Sequence, residues 1–188
     1  DELKKIFDIS GISKSPAIFD IEKLRYFNSE YIRAMSPADF ATVAEPFIRQ
    51  SVRNEKYDAA AIAALLQQRT EVLTDEKVDF FDALPEYGVE LFVHKKSKSD
   101  EASSKEVLEK IIPLFEAISD WCDENIMAAQ AGLAESMGVK NAKVMWPVRI
   151  AAAGKAVTPG GAVEICRILG RDETLKRLRA GLAMLENL

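Results

Sequence analysis

Residues Met145–Leu182 read MWPVRIAAAGKAVTPGGAVEICRILGRDETLKRLRAGL. Glycine and proline divide this stretch into three helical pieces. The first runs from Asn141 to Ala153 and stops at Gly154, the residue type that most readily takes the left-handed turn closing a helix. Pro147 either marks the start of that helix or disturbs its first turns. The turn Val157-Thr-Pro-Gly-Gly161 follows, with Thr158 as an N-cap and Pro159 at the first helical position. The second helix ends at Gly170, and Asp172 caps the third. Helices joined by such short connections pack side by side, so this half of the chain reads as all-α.

The same logic extends upstream. Asp20 opens IEKLRYFNSEYIRAM, whose Ile21, Leu24, Phe27 (or Asn28) and Tyr31 fall at helical spacing. Ser36-Pro37-Ala38-Asp39 is a helix start with an N-cap serine, a first-turn proline and a carboxylate three residues on. That helix is expected to reach about Arg53. Asp58 caps AAAIAALLQQRTEVL, and Thr74-Asp75-Glu76 reads as another start. The segment 84–103 is irregular. Its VELFVH (89–94) has the look of a short strand, but nothing obvious pairs with it, and the segment reads as a long surface connection. Ser104 opens KEVLEKIIPLFEAI. Ser119 or Asp120 opens the helix that ends at Gly138. The ISKSP at 12–16 reads as a turn ahead of the first long helix.

Composition excludes several classes of function. The 188 residues are 48% apolar, enough to bury a substantial core. No apolar run is long enough to span a bilayer, and the charged start is no signal peptide. The chain opens on Asp-Glu-Leu-Lys-Lys without a methionine, which suggests a piece of a longer protein. Cys122 and Cys166 form no CxxC motif and read as small core residues in a reducing, cytoplasmic setting. His94 is the only histidine, which leaves no material for a zinc site or a histidine-based triad. There is no P-loop, no GxGxxG and no carboxylate pair at a working spacing. No catalytic residue, metal site or cofactor is therefore expected in this stretch.

Charge is unevenly spread. From Lys140 onward nine Lys/Arg face four acids, within a chain whose net charge is −5. Such asymmetry fits an anionic partner for this half, and equally a solvated helical surface. Arg149 stands beside Ala151, Ala152 and Ala153, a small-residue surface with room for a planar ligand. The Thr158-Pro159-Gly160-Gly161 turn lets a ligand approach backbone N–H groups and the positive end of a helix dipole. Arg69 closes LLQQR, where a helix C-terminus would favour a cation in any case.

Two blocks carry a family resemblance. SKSPAIFDIEKLRYFNSEYIR (13–33) resembles the segment after the catalytic core in bacterial glutamyl-tRNA synthetases. MWPVRIAAAGKAVTPGG followed by VEICRILGRDETLKRLRAGL resembles that family's C-terminal pattern of Pro-Leu-Arg, small-residue helix, Ser/Thr-Pro turn and apolar helix. The resemblance implies the all-helical anticodon-binding part, an α-helix cage, of a class I enzyme that loads glutamate on tRNA(Glu). It implies the end of the stem-contact region at 1–35 and two helical subdomains at 36–82 and 83–188. ATP and magnesium belong to the parent's catalytic domain, whose HIGH and KMSKS-like motifs this sequence lacks.

The resemblance also assigns residues. Arg149 takes the place of the family's anticodon-contacting arginine, and Thr158 and Pro159 that of its base-reading turn. Gly161 stands where the family usually has a larger apolar side chain. Arg69 aligns with the position where arginine accompanies strict preference for tRNA(Glu) and glutamine accompanies acceptance of tRNA(Gln). Gln67 and Gln68 precede it directly. Lys143, Lys155, Arg171 and Lys176 are candidate phosphate contacts. The expected partner is the tRNA(Glu) anticodon loop, bound by a monomer. The competing readings are the helical cage of class I lysyl-tRNA synthetase, against which the 13–33 block argues, and a helical protein-interaction module with no RNA role.

Overall fold

The structure is a computed structural model that describes residues 2–11, 18–73 and 78–188. The ISKSP turn and the Thr74 start lie outside the described residues. Among the described residues the helices are α1 (Glu2–Ile6), α2 (Ile21–Ala34), α3 (Pro37–Ser51), α4 (Ala59–Gln67), α5 (Glu101–Glu116), α6 (Asp123–Ser136), α7 (Asn141–Ala153), α8 (Ala162–Leu169) and α9 (Arg171–Glu186). No strand is formed among them, and none of these helices is long and apolar enough to cross a membrane.

Local chemistry sets most of the starts. The Asp20 carboxylate accepts the Lys23 N–H at 3.1 Å, Ser36 Oγ accepts that of Asp39 at 3.2 Å, and Asp58 accepts that of Ala60 at 2.9 Å. Other boundaries move. α4 stops at Gln67 instead of running to Leu73, with the Arg69 and Thr70 N–H groups both turning back to the Leu66 carbonyl. α5 starts from Asp100, not Ser104, because Asp100 and Ser103 satisfy each other's backbone N–H groups. Ser104 is buried instead, its hydroxyl 2.9 Å from that of Ser99. α6 begins after Cys122, α8 after Gly161 and α9 after Gly170. Pro147 sits inside α7 without ending it.

α3 and α4 pack on each other, burying Phe40, Ala44 and Ile48 from one and Ile62, Ala63 and Leu66 from the other. α7 lies at the centre of a second group and touches α5, α6, α8 and α9. The two groups meet where α4 touches α8. Ala151, Ala152 and Ala153 are fully buried in this packing. A Cβ placed on Gly181 of α9 would lie 2.9 Å from the Ala151 Cβ, so the helices approach closely there. The small-residue surface is therefore a seam between helices, not open ground for a ligand. Gly154 closes α7 at φ 64°, and a Cβ there would meet Pro85 and Tyr87 at 2.9 Å, so only glycine fits.

Segment 84–103 is not a surface connection. Val89–Phe92 forms a 3₁₀ turn with Phe92 fully buried, worth about 1.5–3 kcal/mol of transfer free energy. His94 and Ser99 then exchange two backbone hydrogen bonds of 2.8 and 3.1 Å across a tight turn. The indole N–H of Trp146 donates to the Leu91 carbonyl at 2.9 Å and holds the segment against α7.

Two further features were not anticipated. Arg177 of α9 is 2% exposed and donates to the carbonyls of Phe80, Ala152 and Phe81 at 2.7, 2.8 and 3.4 Å, and to Glu173 at 2.8 Å. It pins the 79–81 turn to α7 and α9. On α2, the buried residues are Ser29 and Ile32, while Ile21, Leu24, Phe27 and Tyr31 all remain exposed. Gln67 is buried and donates to the Ile32 and Met35 carbonyls at 3.2 and 2.9 Å, which ties the end of α2 to α4.

Candidate nucleic-acid interface

Three segments converge on Thr158: the C-terminal half of α7, the 154–161 connection and the end of α4. The Arg149 guanidinium donates to Thr158 Oγ1 at 2.7 Å and to the Ala156 carbonyl at 2.9 Å. Its Cζ lies 4.5 Å from the centre of the Trp146 ring, so the cation rests on the indole. The Thr158 hydroxyl, almost buried, passes its own proton to the Gly160 carbonyl at 2.8 Å. Arg69 approaches from α4, its Nη1 3.5 Å from the Thr158 carbonyl. Leu65 of α4 packs against Gly160 and sets that approach.

Thr158 is thus a joint between two arginines and not a helix cap. The N-cap of α8 is Gly161, whose N–H is taken by the Glu164 carboxylate at 3.0 Å. The helix start is therefore not bare. That carboxylate also occupies the space where a Gly161 Cβ would lie, at 2.9 Å.

Neither arginine forms an ion pair with a described carboxylate. Burial, and after it the like charge of Arg69, push the Arg149 guanidinium below the usual arginine range. Arg149 still remains charged at neutral pH, since arginine does not deprotonate in proteins. The arrangement offers two planar cations, several free donors and a constrained turn beside exposed Val157. It suits a ligand that is flat, rich in acceptors and partly anionic.

The chain matches a family model described as an anticodon binding domain over residues 39–182. The chain belongs to the anticodon-binding domain family. It is 46% identical over 183 residues to a glutamate–tRNA ligase of Clostridium tetani, covering 96% of this chain and 37% of that relative. It is 40% identical to the glutamate–tRNA ligase of Clostridium acetobutylicum, over 99% of this chain and 39% of the relative. Among solved structures, a glutamate–tRNA ligase of Elizabethkingia meningosepticum, in complex with its amino acid, superposes with a TM-score of 0.78 at 27% identity. That match covers 98% of this chain and 36% of the other. The chain therefore spans little more than a third of the relatives it matches.

Within this anticodon-binding domain, Arg69, Arg149, Thr158, Pro159 and Gly161 fall in one neighbourhood. Of the four candidate phosphate contacts, only Lys155 lies on the same connection, next to the Ala156 carbonyl that Arg149 uses. Lys155 pairs with Asp79, Arg171 donates to the Glu116 carbonyl, and Lys176 lies 3.5 Å from Glu173. Lys143 has no ion pair among the described residues and sits half-buried at the start of α7. Sequence reasoning missed Trp146 and His94, whose rings stack at 3.6 Å with an interplanar angle of 3°. The signal available was the i, i+3 spacing of Trp146 and Arg149 on one helix, which makes their side chains neighbours. Among the described residues no group of His, Cys, Asp and Glu could hold a metal.

Proposed function

We propose that this domain reads the anticodon of tRNA(Glu) as part of a glutamate–tRNA ligase. The observation that carries it is the convergence of Arg69 and Arg149 on Thr158 within a domain of the anticodon-binding family. Anticodon bases are unstacked and expose their Watson–Crick edges, which proteins read by hydrogen bonds and by stacking on aromatic or guanidinium planes. Arg149, with its guanidinium carbon 4.5 Å from the centre of the Trp146 ring, offers such a plane and free donors. Arg69, exposed at the end of α4, reaches the same turn, whereas Gln67 faces the core. This placement supports Arg69 as the residue that favours tRNA(Glu) over tRNA(Gln).

Thr158, Pro159 and Gly161 contribute mainly backbone groups. Lys143, Lys155, Arg171 and Lys176 would position the RNA through phosphates without reading its sequence. We assign 1–35 to the end of the stem-contact region, 36–82 and 83–188 to two helical subdomains, and the working state to a monomer. The packing of α3 with α4, and of α5 through α9 around α7, supports that division. Activation of glutamate with ATP and magnesium is assigned to the rest of the parent enzyme.

The test is binding to the tRNA(Glu) anticodon stem-loop at matched salt. Arg149→Ala is expected to weaken it by about 1–3 kcal/mol, the usual range for a base-reading contact. Unchanged affinity would remove Arg149 from the site.

A further inference from the structure

A second cationic cluster lies toward the other end of α7. Lys96 and Lys98 on the His94–Ser99 turn, with Lys140 and Lys143 at the start of α7, line one pocket of about 280 Å³ together with Ser97 and Val139. Lys96, Lys98 and Lys140 are exposed, and Lys143 is half-buried. None of the four forms an ion pair with a described carboxylate. Lys143 acts on Asp100, whose carboxylate is held below its usual range first by the Ser103 N–H and hydroxyl and less by Lys143. Two separate segments thus bring four like charges to one concavity. They repel one another unless an anion joins them. Lysine ammonium groups are compact point charges with rotatable donors, suited to phosphate oxygens more than to base planes.

This pocket is joined to the arginine cluster. Lys143, Trp146 and Arg149 are successive i, i+3 neighbours on α7, with Lys143 and Arg149 about 9 Å apart along the axis. His94, the first residue of the lysine turn, stacks on the Trp146 ring that also carries Arg149. We propose that the Lys96–Lys98–Lys140–Lys143 pocket binds backbone phosphates of the RNA whose bases the Arg69–Thr158–Arg149 cluster reads. The proposal rests on the RNA reading given above but concerns residues outside that cluster. The lysines hold the strand, and the ridge of α7 sets the spacing between held phosphate and read base.

The experiment measures affinity for a labelled anticodon stem-loop between about 50 and 200 mM salt. The variants are K98Q, K143Q and the double K98Q/K143Q. K110Q is the control, because Lys110 lies on α5 and pairs with Glu106. Each phosphate contact removed lowers the slope of log K against log salt by about 0.7. The double variant should therefore lose about 1.4 and bind several-fold more weakly at low salt, equally for scrambled anticodons. A double-variant slope equal to that of wild type or K110Q overturns the proposal. A second arm titrates pyrophosphate at constant ionic strength. Saturable pyrophosphate binding that the double variant loses, with the RNA slope unchanged, assigns the pocket to a small anion and also overturns it. Lysine-dependent binding with no anticodon preference would sink the base-reading function and leave this pocket standing.

Discussion

Arg177→Met separates a structural arginine from an RNA-facing one. The wild-type guanidinium is buried among three backbone carbonyls and the Glu173 carboxylate. Methionine keeps the aliphatic packing but leaves the Phe80 and Ala152 carbonyls without this donor. Each buried group left unsatisfied costs about 1–3 kcal/mol, so the two carbonyls together cost about 2–6 kcal/mol. A destabilisation of about 2–6 kcal/mol follows, or roughly 4–24 °C in Tm for a domain of this size. Thermal unfolding followed by far-ultraviolet circular dichroism reads it directly. Burial raises the Glu173 carboxyl, but Arg177 and Lys176 outweigh it and hold it below the usual range. The stability this gives is present above the unfolded carboxylate pKa and is lost as pH falls through the folded one. The gap between wild type and variant should narrow accordingly in acid. Below its transition, the variant should bind the stem-loop as tightly as wild type. A loss under about 1 kcal/mol, or a reduced salt slope in RNA binding, would refute the assignment of Arg177 to the core.

Other outcomes follow from single contacts. Arg69→Gln should bring the affinities for glutamate and glutamine anticodon stem-loops closer together, and an unchanged ratio would remove Arg69 from discrimination. Gln67→Ala should destabilise the α2–α4 joint by about 1–3 kcal/mol in urea titration, through the Met35 carbonyl left unsatisfied, with the anticodon preference intact. Burial pushes the Cys166 thiol up to about 12, so a thiol reagent at pH 8 should label only Cys122 in the native domain and both cysteines in denaturant.

Helix starts were legible where one short-range hydrogen bond decides them. Asp20, Ser36 and Asp58 are such cases, as are the stops at Gly154 and Gly170. Ser104 misled because Asp100 and Ser103 form a better reciprocal cap four residues earlier, which frees Ser104 to be buried. The 84–103 segment misled for a different reason. Its order comes from Phe92 entering the core and from Trp146, 55 residues from Leu91, donating to that carbonyl. Nothing local announces either contact. The alanines after Arg149 could line a ligand or a helix, and only Gly181 on a distant helix decides between them. Counting charges placed Arg177 with the surface cations, since composition cannot say which arginine turns inward. On α2 the apolar spacing foretold a helix, while the face it buries among the described residues is a different one. In the site, Arg149 and the Thr158 turn stood out by residue type, as a cation beside small residues and a glycine-containing turn, and Arg69 came from a family pattern. Trp146, the ring that orients Arg149, came from neither.

The central claim is that the domain distinguishes anticodon bases. Two stem-loops identical except for the three anticodon bases, one carrying the glutamate anticodon and one scrambled, test it at about 0.15 M salt, where phosphate contacts alone bind weakly. Base reading by the two arginines predicts a preference of roughly tenfold or more for the glutamate stem-loop. Equal affinity for both would contradict it.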